Sequence, residues 1–415
     1  MKHLIFVLAC LFSVSVFGQG WIKILPNLTI DAIPVSSGGY VYTPVIGWDN
    51  SQINKVDENG ELLWQLPLSG GPVYSISETF DQGILMCAVL RSAIELIKTD
   101  EDGNIIWSNY YYGNEYSNPI YSVQLSDGSF ILITINGSED DHIFRYSKLD
   151  NNGAVIFTYE TPNCNGGSDV LSRHTACKTN DEGVIIAACG EWNPNTNMNT
   201  AKLVKIDNNG MEEWVETFDL GYPTAVIQTS DLGYLFTTVL SYGNFLTKID
   251  SDGELQWSNH ILFVLGSGET RDDLFITDIR QTNDGGLVLC GFVHDGIFEE
   301  QLVVIKTDDV GNELWNFVYD GDTEEEIAFG IHQNDAGDFI VTGWTEDPDS
   351  GEYSGLLIKL GSEGTLSSSF TFPTPSNRKL EKVVDVLGRE VNHTTNQILL
   401  HIYDDGSVEK KFVVD

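Results

Sequence analysis

Short apolar runs recur along the whole chain, and turns rich in Asp, Asn and Gly separate them. Two of the clearest stretches have the same form, Leu96-Ile-Lys-Thr-Asp-Glu-Asp-Gly-Asn-Ile-Ile-Trp107 and Leu246-Thr-Lys-Ile-Asp-Ser-Asp-Gly-Glu-Leu-Gln-Trp257. Each places Lys between apolar residues, then Asp-x-x-Gly, then three residues and Trp. This Lys motif recurs seven times, and its lysines are Lys55, Lys98, Lys148, Lys205, Lys248, Lys306 and Lys359.

A second motif alternates strictly with the first. It is a tight turn that ends in Gly and leads into an apolar run; the glycines, most of them preceded closely by Asp, are Gly39, Gly83, Gly128, Gly183, Gly233, Gly286 and Gly337. The two motifs divide each repeat into four strands: A before the Gly turn, B after it, C around the Lys, and D from near the Trp. Tight turns join A to B and C to D, because Asp, Asn and Gly tolerate positive φ.

A four-stranded sheet repeated roughly every 50 residues is typical of a β-propeller. The seven copies predict an all-β fold with a seven-bladed β-propeller. The last repeat, from Lys359 to Gly364, lacks the Trp, whereas Trp21-Ile-Lys-Ile-Leu25 has no strand C before it. We therefore expect residues 21–25 to supply strand D of the last blade, which closes the ring and protects the sheet edges.

Six of the nine tryptophans, with Phe157 in the third copy, hold the motif position, and we expect them to pack between neighbouring blades: Trp21, Trp64, Trp107, Trp214, Trp257 and Trp315. The repeat resembles the signatures of quinoprotein-type propellers and of sialidases. The turn of this repeat is one residue shorter than that of the quinoprotein signature, and its residue spacing differs from that of the sialidase signature. The resemblance supports the fold and implies neither a quinone pocket nor sialidase chemistry.

Composition narrows the class of protein. The 415 residues carry a formal net charge of −39, which excludes nucleic acid as a partner because phosphate binding needs clustered Lys and Arg. The acidity fits the solubility of an extracellular protein, with a calcium-loaded surface as the alternative. The acidic turns at 100–103 and 250–253 lack the twelve-residue ligand series of a calcium loop. We expect plain β-turns there, and no cofactor or metal.

Residues 1–18 have the features of a secretion signal. Lys2 and His3 precede an apolar run from Leu4 to Phe17 that is too short for a transmembrane helix, and we expect cleavage after Gly18. The propeller then spans residues 19–366, and no transmembrane segment follows signal cleavage.

Five cysteines remain after cleavage, and the odd number predicts at least one free thiol or an intermolecular bridge. Cys164 and Cys177 flank a loop and are candidates for a disulfide in an oxidising compartment. Cys87, Cys189 and Cys290 lie in apolar strand patterns, where we expect small buried core residues.

The amino-acid composition changes after the last repeat. Residues 367–377 are rich in Ser, Thr and Pro and predict a linker. Residues 378–415 predict three short strands, with turns at Gly388 and at 404–406. The stretches Val-Asp-Val-Leu-Gly-Arg-Glu (384–390) and Ile-Tyr-Asp-Asp-Gly-Ser-Val-Glu-Lys (402–410) closely resemble the C-terminal sorting domain, in a short form, of cargo of the type IX secretion system of Bacteroidetes.

This resemblance implies that the segment directs export through the secretion machinery. The protein would then be secreted or attached to the outer-membrane surface. The motif residues carried over are Gly388, Arg389, Glu390, Tyr403, Asp405, Gly406 and Lys410. The alternative is a small β appendage docked on the propeller.

The place for a ligand follows from the strand order. If strand A is innermost, the A–B and C–D turns share one rim, and the longer B–C and D–A loops share the other, where function usually lies. Aromatic residues on that rim suit stacking on sugar rings or gripping a peptide. We predict as ligand-binding residues Trp48, Tyr111, Trp192, Tyr242 and Trp344. The alternative is loop anchoring by aromatic packing.

The sequence thus predicts an exported binding or scaffold propeller whose ligand is a glycan or a protein. The alternatives are a carbohydrate-active enzyme, either a glycoside hydrolase or a lyase, with its site in the propeller mouth, and a structural surface adhesin. With 61 acidic residues, a carboxylate pair is no signal of catalysis. The scattered histidines predict surface or packed residues rather than a catalytic group: His142, His174, His260, His294 and His332.

Overall fold

The computed structural model describes residues 20–413 apart from 48–49, 91–92, 113–117, 139–140, 161–173, 194–197, 241–242, 262, 265–269, 272–273, 295–299, 320–324, 347–352, 367–379, 386–396 and 404–407. The predicted signal segment, 1–18, lies outside these ranges. The chain divides into two compact units, Met1–Leu366 and Ser367–Asp415. Within the described ranges, no helix has the length and apolar character needed to cross a membrane.

The described residues of the first unit form seven four-stranded antiparallel sheets, which confirms the predicted seven-bladed β-propeller. In chain order the strands are β1 (Trp21–Leu25) of blade 7; β2 (Leu28–Pro34), β3 (Tyr40–Gly47), β4 (Asn50–Val56) and β5 (Leu62–Leu68) of blade 1; β6 (Val73–Glu78), β7 (Ile84–Leu90), β8 (Ala93–Thr99) and β9 (Ile105–Tyr112) of blade 2; β10 (Asn118–Gln124), β11 (Phe130–Ser138), β12 (Asp141–Leu149) and β13 (Val155–Glu160) of blade 3; β14 (Ala176–Lys178), β15 (Val184–Asn193), β16 (Met198–Ile206) and β17 (Glu212–Phe218) of blade 4; β18 (Tyr222–Gln228), β19 (Tyr234–Leu240), β20 (Gly243–Ile249) and β21 (Leu255–Ile261) of blade 5; the short hairpin β22 (Phe263–Val264) and β23 (Thr270–Arg271); β24 (Leu274–Gln281), β25 (Leu287–His294), β26 (Glu300–Thr307) and β27 (Glu313–Tyr319) of blade 6; and β28 (Glu326–Gln333), β29 (Phe339–Glu346) and β30 (Tyr353–Leu360) of blade 7.

Strand A is innermost in the ring. The A strands of successive blades contact one another in the order β2, β6, β10, β14, β18, β24, β28 and back to β2. The apolar core lies between blades rather than within one. One core cluster, for example, joins Val41 and Ile53 of blade 1 to Ile84 and Met86 of blade 2. Each blade therefore buries its two faces against its neighbours.

The N-terminal strand closes the ring as predicted. β1 pairs with β30, and Trp21 lies opposite Lys359 in the same register that places Trp64 opposite Lys55 in blade 1. The Trp21 indole packs edge-on against Tyr40 of blade 1, with ring centroids 6.2 Å apart. Blade 7 is therefore built from both ends of the propeller domain.

The repeated tryptophans pack between blades, which confirms their predicted role. Trp64 Nε1 donates a hydrogen bond of 3.2 Å to the carbonyl oxygen of Glu101, in the C–D turn of the next blade. The turn glycine, Gly103, has φ +82°, and a Cβ there would lie 3.0 Å from the Trp64 ring. Glycine is needed twice at this position, for its backbone conformation and for the space that the indole occupies.

The repeated lysines fasten strand C to the A–B turn of their own blade. In six blades the lysine ammonium group pairs with the Asp of the Gly turn: Lys98–Asp81 (2.6 Å), Lys148–Asp127 (3.5 Å), Lys205–Asp181 (2.8 Å), Lys248–Asp231 (2.7 Å), Lys306–Asp284 (3.1 Å) and Lys359–Asp338 (3.3 Å). In blade 1, Lys55 Nζ donates to Ser37 Oγ at 2.8 Å. In six of the seven blades, the two sequence motifs therefore supply the two partners of one ion pair.

The aspartates of the C–D turns serve those turns. Asp100 Oδ1 accepts hydrogen bonds from the backbone N–H groups of Asp102 (3.1 Å) and Asn104 (2.8 Å). Asp250 does the same with Asp252 and Glu254, at 3.0 Å each. These hydrogen bonds close a β-turn at each place.

A further series of hydrogen bonds joins the A–B turns at six of the seven junctions between blades, and sequence reasoning missed it. The backbone N–H of Phe80 donates to Gln124 Oε1 at 2.9 Å. The equivalent bonds run from Ser36 to Glu78 (2.9 Å), Ser126 to Glu182 (2.8 Å), Asn180 to Gln228 (2.7 Å), Ser230 to Gln281 (2.8 Å) and Asn283 to Gln333 (2.8 Å). The sequence pattern that could have predicted these bonds is a Gln at the end of strand A in four repeats.

The burial of the cysteines agrees in part with the prediction from the sequence. Cys87 and Cys290 are buried, as predicted, whereas Cys189 is only half-buried. Cys177 lies in β14, but Cys164 falls outside the described residues. The disulfide between Cys164 and Cys177 therefore stays a prediction.

The second unit contains a three-stranded antiparallel sheet, β31 (Leu380–Asp385), β32 (Gln397–Tyr403) and β33 (Val408–Val413), in that order. Three short strands were predicted here. Tyr403 lies opposite Leu380, and Lys410 lies opposite Leu400. The other carried-over motif residues fall outside the described ranges: Gly388, Arg389, Glu390, Asp405 and Gly406.

Candidate functional site

The predicted rim residues have different outcomes. Trp48 and Tyr242 lie outside the described ranges. The backbone of Trp192 lies in β15 opposite Asn199, but its side chain is not among those described. Tyr111 and Trp344 can be examined in full.

Tyr111 lies on the outer strand of blade 2 and packs against the core between blades 2 and 3. Its hydroxyl donates a hydrogen bond to the carbonyl oxygen of Gly153 in the next blade. Burial, with the nearby Cys87 and Asp150, raises the pKa of this phenol well above its usual range. The ring is thus engaged in packing between blades.

Trp344 belongs to a group of aromatic side chains on the loop rim of blades 6 and 7. The centroid of its ring lies 4.0 Å from that of Tyr353, and the ring stacks on Phe329 with centroids 6.3 Å apart. In blade 6, Phe292 stacks on Phe275 at 5.1 Å and meets the His294 ring edge-on at 6.1 Å. We call this group the rim cluster, defined by Phe275, Phe292, His294, Phe329, Trp344 and Tyr353.

The rim cluster combines burial with access. Trp344 is half-buried, whereas Tyr353 is 42% exposed at the start of β30. The strand ends place both residues at the B–C end of blade 7. A ligand on this rim would therefore meet an exposed phenol ring that is backed by a fixed indole.

Carboxylates surround the Tyr353 hydroxyl. It donates a hydrogen bond of 3.2 Å to Glu325 Oε2, and slight burial together with Glu325, Glu346 and Glu300 raises the pKa of this phenol. Burial also raises the pKa of Glu300; Glu325 adds to the effect, while His294, 3.4 Å away, opposes it. The rim cluster therefore offers aromatic faces beside acidic groups.

A second group of side chains meets near the centre of the ring, and we call it the axial cluster: Asp31, His174, Asp278, Arg280 and His332. They come from blades 1, 4, 6 and 7. His174 Nε2 lies 3.1 Å from the carbonyl oxygen of Phe329 in blade 7. Because blades 4 and 7 are not neighbours, this contact crosses the centre of the ring.

The charges of the axial cluster compensate one another. Asp278 is fully buried, accepts hydrogen bonds from the backbone of Ile279 (2.8 Å) and Ile331 (3.0 Å), and lies 3.2 Å from Arg280 Nη2. Burial opposes ionisation of Asp31. His332, followed by His174 and Arg280, outweighs that penalty and lowers the pKa of this carboxyl.

The contacts of His174 define its protonation state. Arg280 Nη2 lies 3.0 Å from Nδ1, and a guanidinium can only donate hydrogen bonds, so Nδ1 carries no proton. The carbonyl of Phe329 can only accept, so Nε2 carries the proton. The imidazole is neutral and both of its nitrogens are engaged. It is therefore a link in the fold rather than a free base.

The scattered histidines of the sequence thus separate into two kinds. His260 is exposed and stacks on Phe245 at 5.1 Å, as expected of a surface residue. His174 and His332 instead meet through Arg280, although 158 positions separate them in the sequence. The sequence did contain a signal for the axial cluster, namely charged residues on the inner A strands. Asp31 and Asp278 occupy a position at which other blades hold Ser75, Tyr121 and Ala225. In the described part of the chain, no group of three or more His, Cys, Asp or Glu is placed to hold a metal ion.

No protein-family model and no curated protein matches the chain. Among solved structures, the Dos1 propeller is 10% identical, with a TM-score of 0.52, over 80% of this chain and 77% of that chain. YCF48 bound to the D1 peptide is 11% identical, with a TM-score of 0.50, over 83% and 96%. A protein of unknown function from Dyadobacter fermentans DSM 18053 is 10% identical, with a TM-score of 0.46, over 83% and 98%. At such identities the likeness to the first two structures shows the β-propeller fold alone.

Proposed function

We propose that this protein is a secreted or cell-surface β-propeller that binds a glycan or a protein through the rim cluster of blades 6 and 7. The observation that carries the proposal is the stack of Trp344 on Phe329 and against Tyr353, which leaves the phenol ring accessible. Aromatic residues with an apolar body and a polar tip are favoured where a surface holds a ligand. The nearby carboxylates supply hydrogen-bond acceptors for hydroxyl or amino groups.

The experiment is a binding screen of the full chain on a glycan array and on a peptide library. The Tyr353→Ala and Trp344→Ala variants remove the exposed ring and its support. We expect affinity to fall by about 30-fold or more, the loss typical of an aromatic residue at the centre of an interface.

Phe80→Ala is the matched control, because Phe80 is a 67% exposed aromatic residue of an A–B turn, on the opposite rim. It should leave binding unchanged. Equal affinity of the Trp344 variant and the wild type would reject the rim cluster. No binding to either library by the wild type would favour the adhesin alternative.

A second candidate, a carbohydrate-active enzyme at the same rim, is favoured by Glu300. A raised pKa is what a general acid needs, and Glu325 provides a second carboxylate nearby. If the purified protein turns over a polysaccharide, Glu300→Gln should reduce the rate by 10²–10⁴-fold. Turnover that survives this change would reject Glu300 as the acid.

We propose further that residues 378–415 direct export by a type IX-like secretion system, which is then a partner of the chain. The sequence resemblance supports this, and a separate compact unit holding a three-stranded sheet is compatible with it. Deletion of 378–415 should retain the protein in the periplasm, as measured by cell fractionation and surface labelling. Normal surface display of the deleted form would reject the proposal.

A further inference from the structure

The axial cluster joins blades that are not neighbours in the ring. His174 lies two residues before β14 of blade 4, and its backbone carbonyl accepts the N–H of Val226 in blade 5. Its ring reaches Arg280 in blade 6 and the carbonyl of Phe329 in blade 7. One residue thus connects four consecutive blades across the inside of the ring.

The groups that face His174 come from three elements besides its own segment. Asp278 and Arg280 approach from β24, Asp31 approaches from β2, and His332 approaches from β28. Asp278 Oδ1 lies 3.5 Å from Nδ1, but this carboxylate already accepts two backbone N–H groups and pairs with Arg280. Asp278 and Asp31 favour the imidazolium, but burial, Arg280 and His332 together outweigh them and lower the pKa of His174.

We propose that the axial cluster is an acid-sensitive cross-brace, in which the bond between Arg280 of blade 6 and His174 of blade 4 holds while His174 is neutral and is lost when His174 takes up a proton. The proton would add to Nδ1, where Arg280 now donates a hydrogen bond. Two N–H groups would then oppose each other at a distance of 3.0 Å, and the bond from Arg280 must break. The brace therefore depends on the neutral form.

The sign of the pH effect follows from the same contacts. Burial, with Arg280 and His332 acting in the same direction and the two aspartates opposing, holds the pKa of His174 below its usual value of 6.5. The unfolded chain then binds more protons than the folded one below about pH 6.5. The brace contributes fully above that pH, and its contribution is lost as the pH falls. Asp31, whose carboxyl pKa is lowered, contributes fully above about pH 4, and its contribution is lost in a separate window below that pH.

Phe329 connects the brace to the rim cluster. Its carbonyl oxygen accepts the proton of His174 Nε2, while its ring stacks on Trp344 in the rim cluster. Because Nδ1 is the nitrogen that takes up the proton, the bond from Nε2 to Phe329 remains in acid, and blade 4 stays linked to the rim cluster.

The test is the melting temperature of the full chain between pH 8 and pH 5, compared with that of His174→Gln. A Gln side chain offers one donor and one acceptor, like the neutral imidazole, but does not titrate. Below pH 6.5 the wild type should lose up to a factor of about ten in folding equilibrium per pH unit beyond the loss in the variant. His260→Gln, which removes an exposed imidazole, is the matched control and should follow the wild type. Parallel wild-type and His174→Gln curves would overturn the proposal.

Hydrogen exchange provides a measurement that needs no variant. The backbone N–H of Ile331 donates to Asp278 and that of Val226 donates to the carbonyl of His174. After correction for intrinsic rates, peptides covering these two amides should lose protection between pH 7 and pH 5, while a peptide from β26 should not. Unchanged protection at both amides would refute the cross-brace.

Discussion

Replacement of Gly364 by Ala tests the inter-blade packing at one of its tightest points. Gly364 lies in the C–D turn of blade 7 with φ +70°, and a Cβ there would lie 2.4 Å from Cε3 and 2.6 Å from Cζ3 of Trp315 in blade 6. The indole is held edge-on against Phe339, with centroids 5.7 Å apart. It therefore has little room to retreat from an added methyl group.

The magnitude is the sum of two effects. A left-handed backbone conformation costs a residue with a Cβ roughly 1–2 kcal/mol, and overpacking of a tight contact costs about 1–3 kcal/mol more. Gly128 separates the two effects, because its φ is +82° and nothing lies within 4 Å of the position of its Cβ. We expect Gly128→Ala to lose about 1 kcal/mol and Gly364→Ala about 3 kcal/mol of unfolding free energy.

The assay is urea unfolding of the wild type and both variants, followed by circular dichroism, with the midpoint and slope compared. In a Trp315→Leu background the crowding is relieved, so Gly364→Ala should cost only the backbone strain. The resulting coupling, about 2 kcal/mol, isolates the contact between the two blades. If Gly364→Ala costs no more than Gly128→Ala, the turn does not pack on Trp315 and the inter-blade argument fails.

Three further changes test the other repeated contacts, each by thermal melting at pH 7. Asp231→Asn removes the anion paired with Lys248, which lowers the pKa of this carboxyl to about 2. Because the Asp231 side chain is 60% exposed, we expect a loss of only about 1 kcal/mol of unfolding free energy. The fall in melting temperature of the wild type between pH 4 and pH 2 should be smaller in the variant. Asp252→Asn, in an exposed turn, is its control, and equal losses would count against the ion pair. Gln281→Leu leaves the Ser230 N–H without its acceptor and should cost about 0.5–1 kcal/mol; no loss would mean that water replaces the bond. Trp21→Ala should destabilise as much as Trp64→Ala, by roughly 3 kcal/mol, and a harmless Trp21→Ala would contradict ring closure by β1.

The fold could be predicted because each blade is encoded locally and repeatedly. The Lys and Gly motifs lie within one repeat, and their alternation specifies four strands before any long-range contact is known. Even closure by Trp21 followed from the repeat, since the last copy lacks a residue that the N-terminus supplies. The Lys–Asp pairs and the Gln bonds were also present in the sequence as repeated positions, but only the geometry joins Lys248 to Asp231 or Gln281 to Ser230.

The candidate sites could be predicted much less well. Aromatic residues after strand B marked the loop rim, but Tyr111 turned out to serve packing between blades, while Tyr353 and Phe329 were missed beside Trp344. Burial of a side chain depends on which neighbouring blade covers it. A pattern within one repeat does not contain that information.

The sequence by itself determined the number of blades, their strand order and the way in which the ring closes, because these follow from periodic local patterns. Only the tertiary structure decided that His174 meets Arg280 and Phe329, since that contact joins blades that are not neighbours and occurs once. A ring brings inner strands from distant parts of the chain to one axis, and a side chain that breaks the repeat there finds partners that no period predicts.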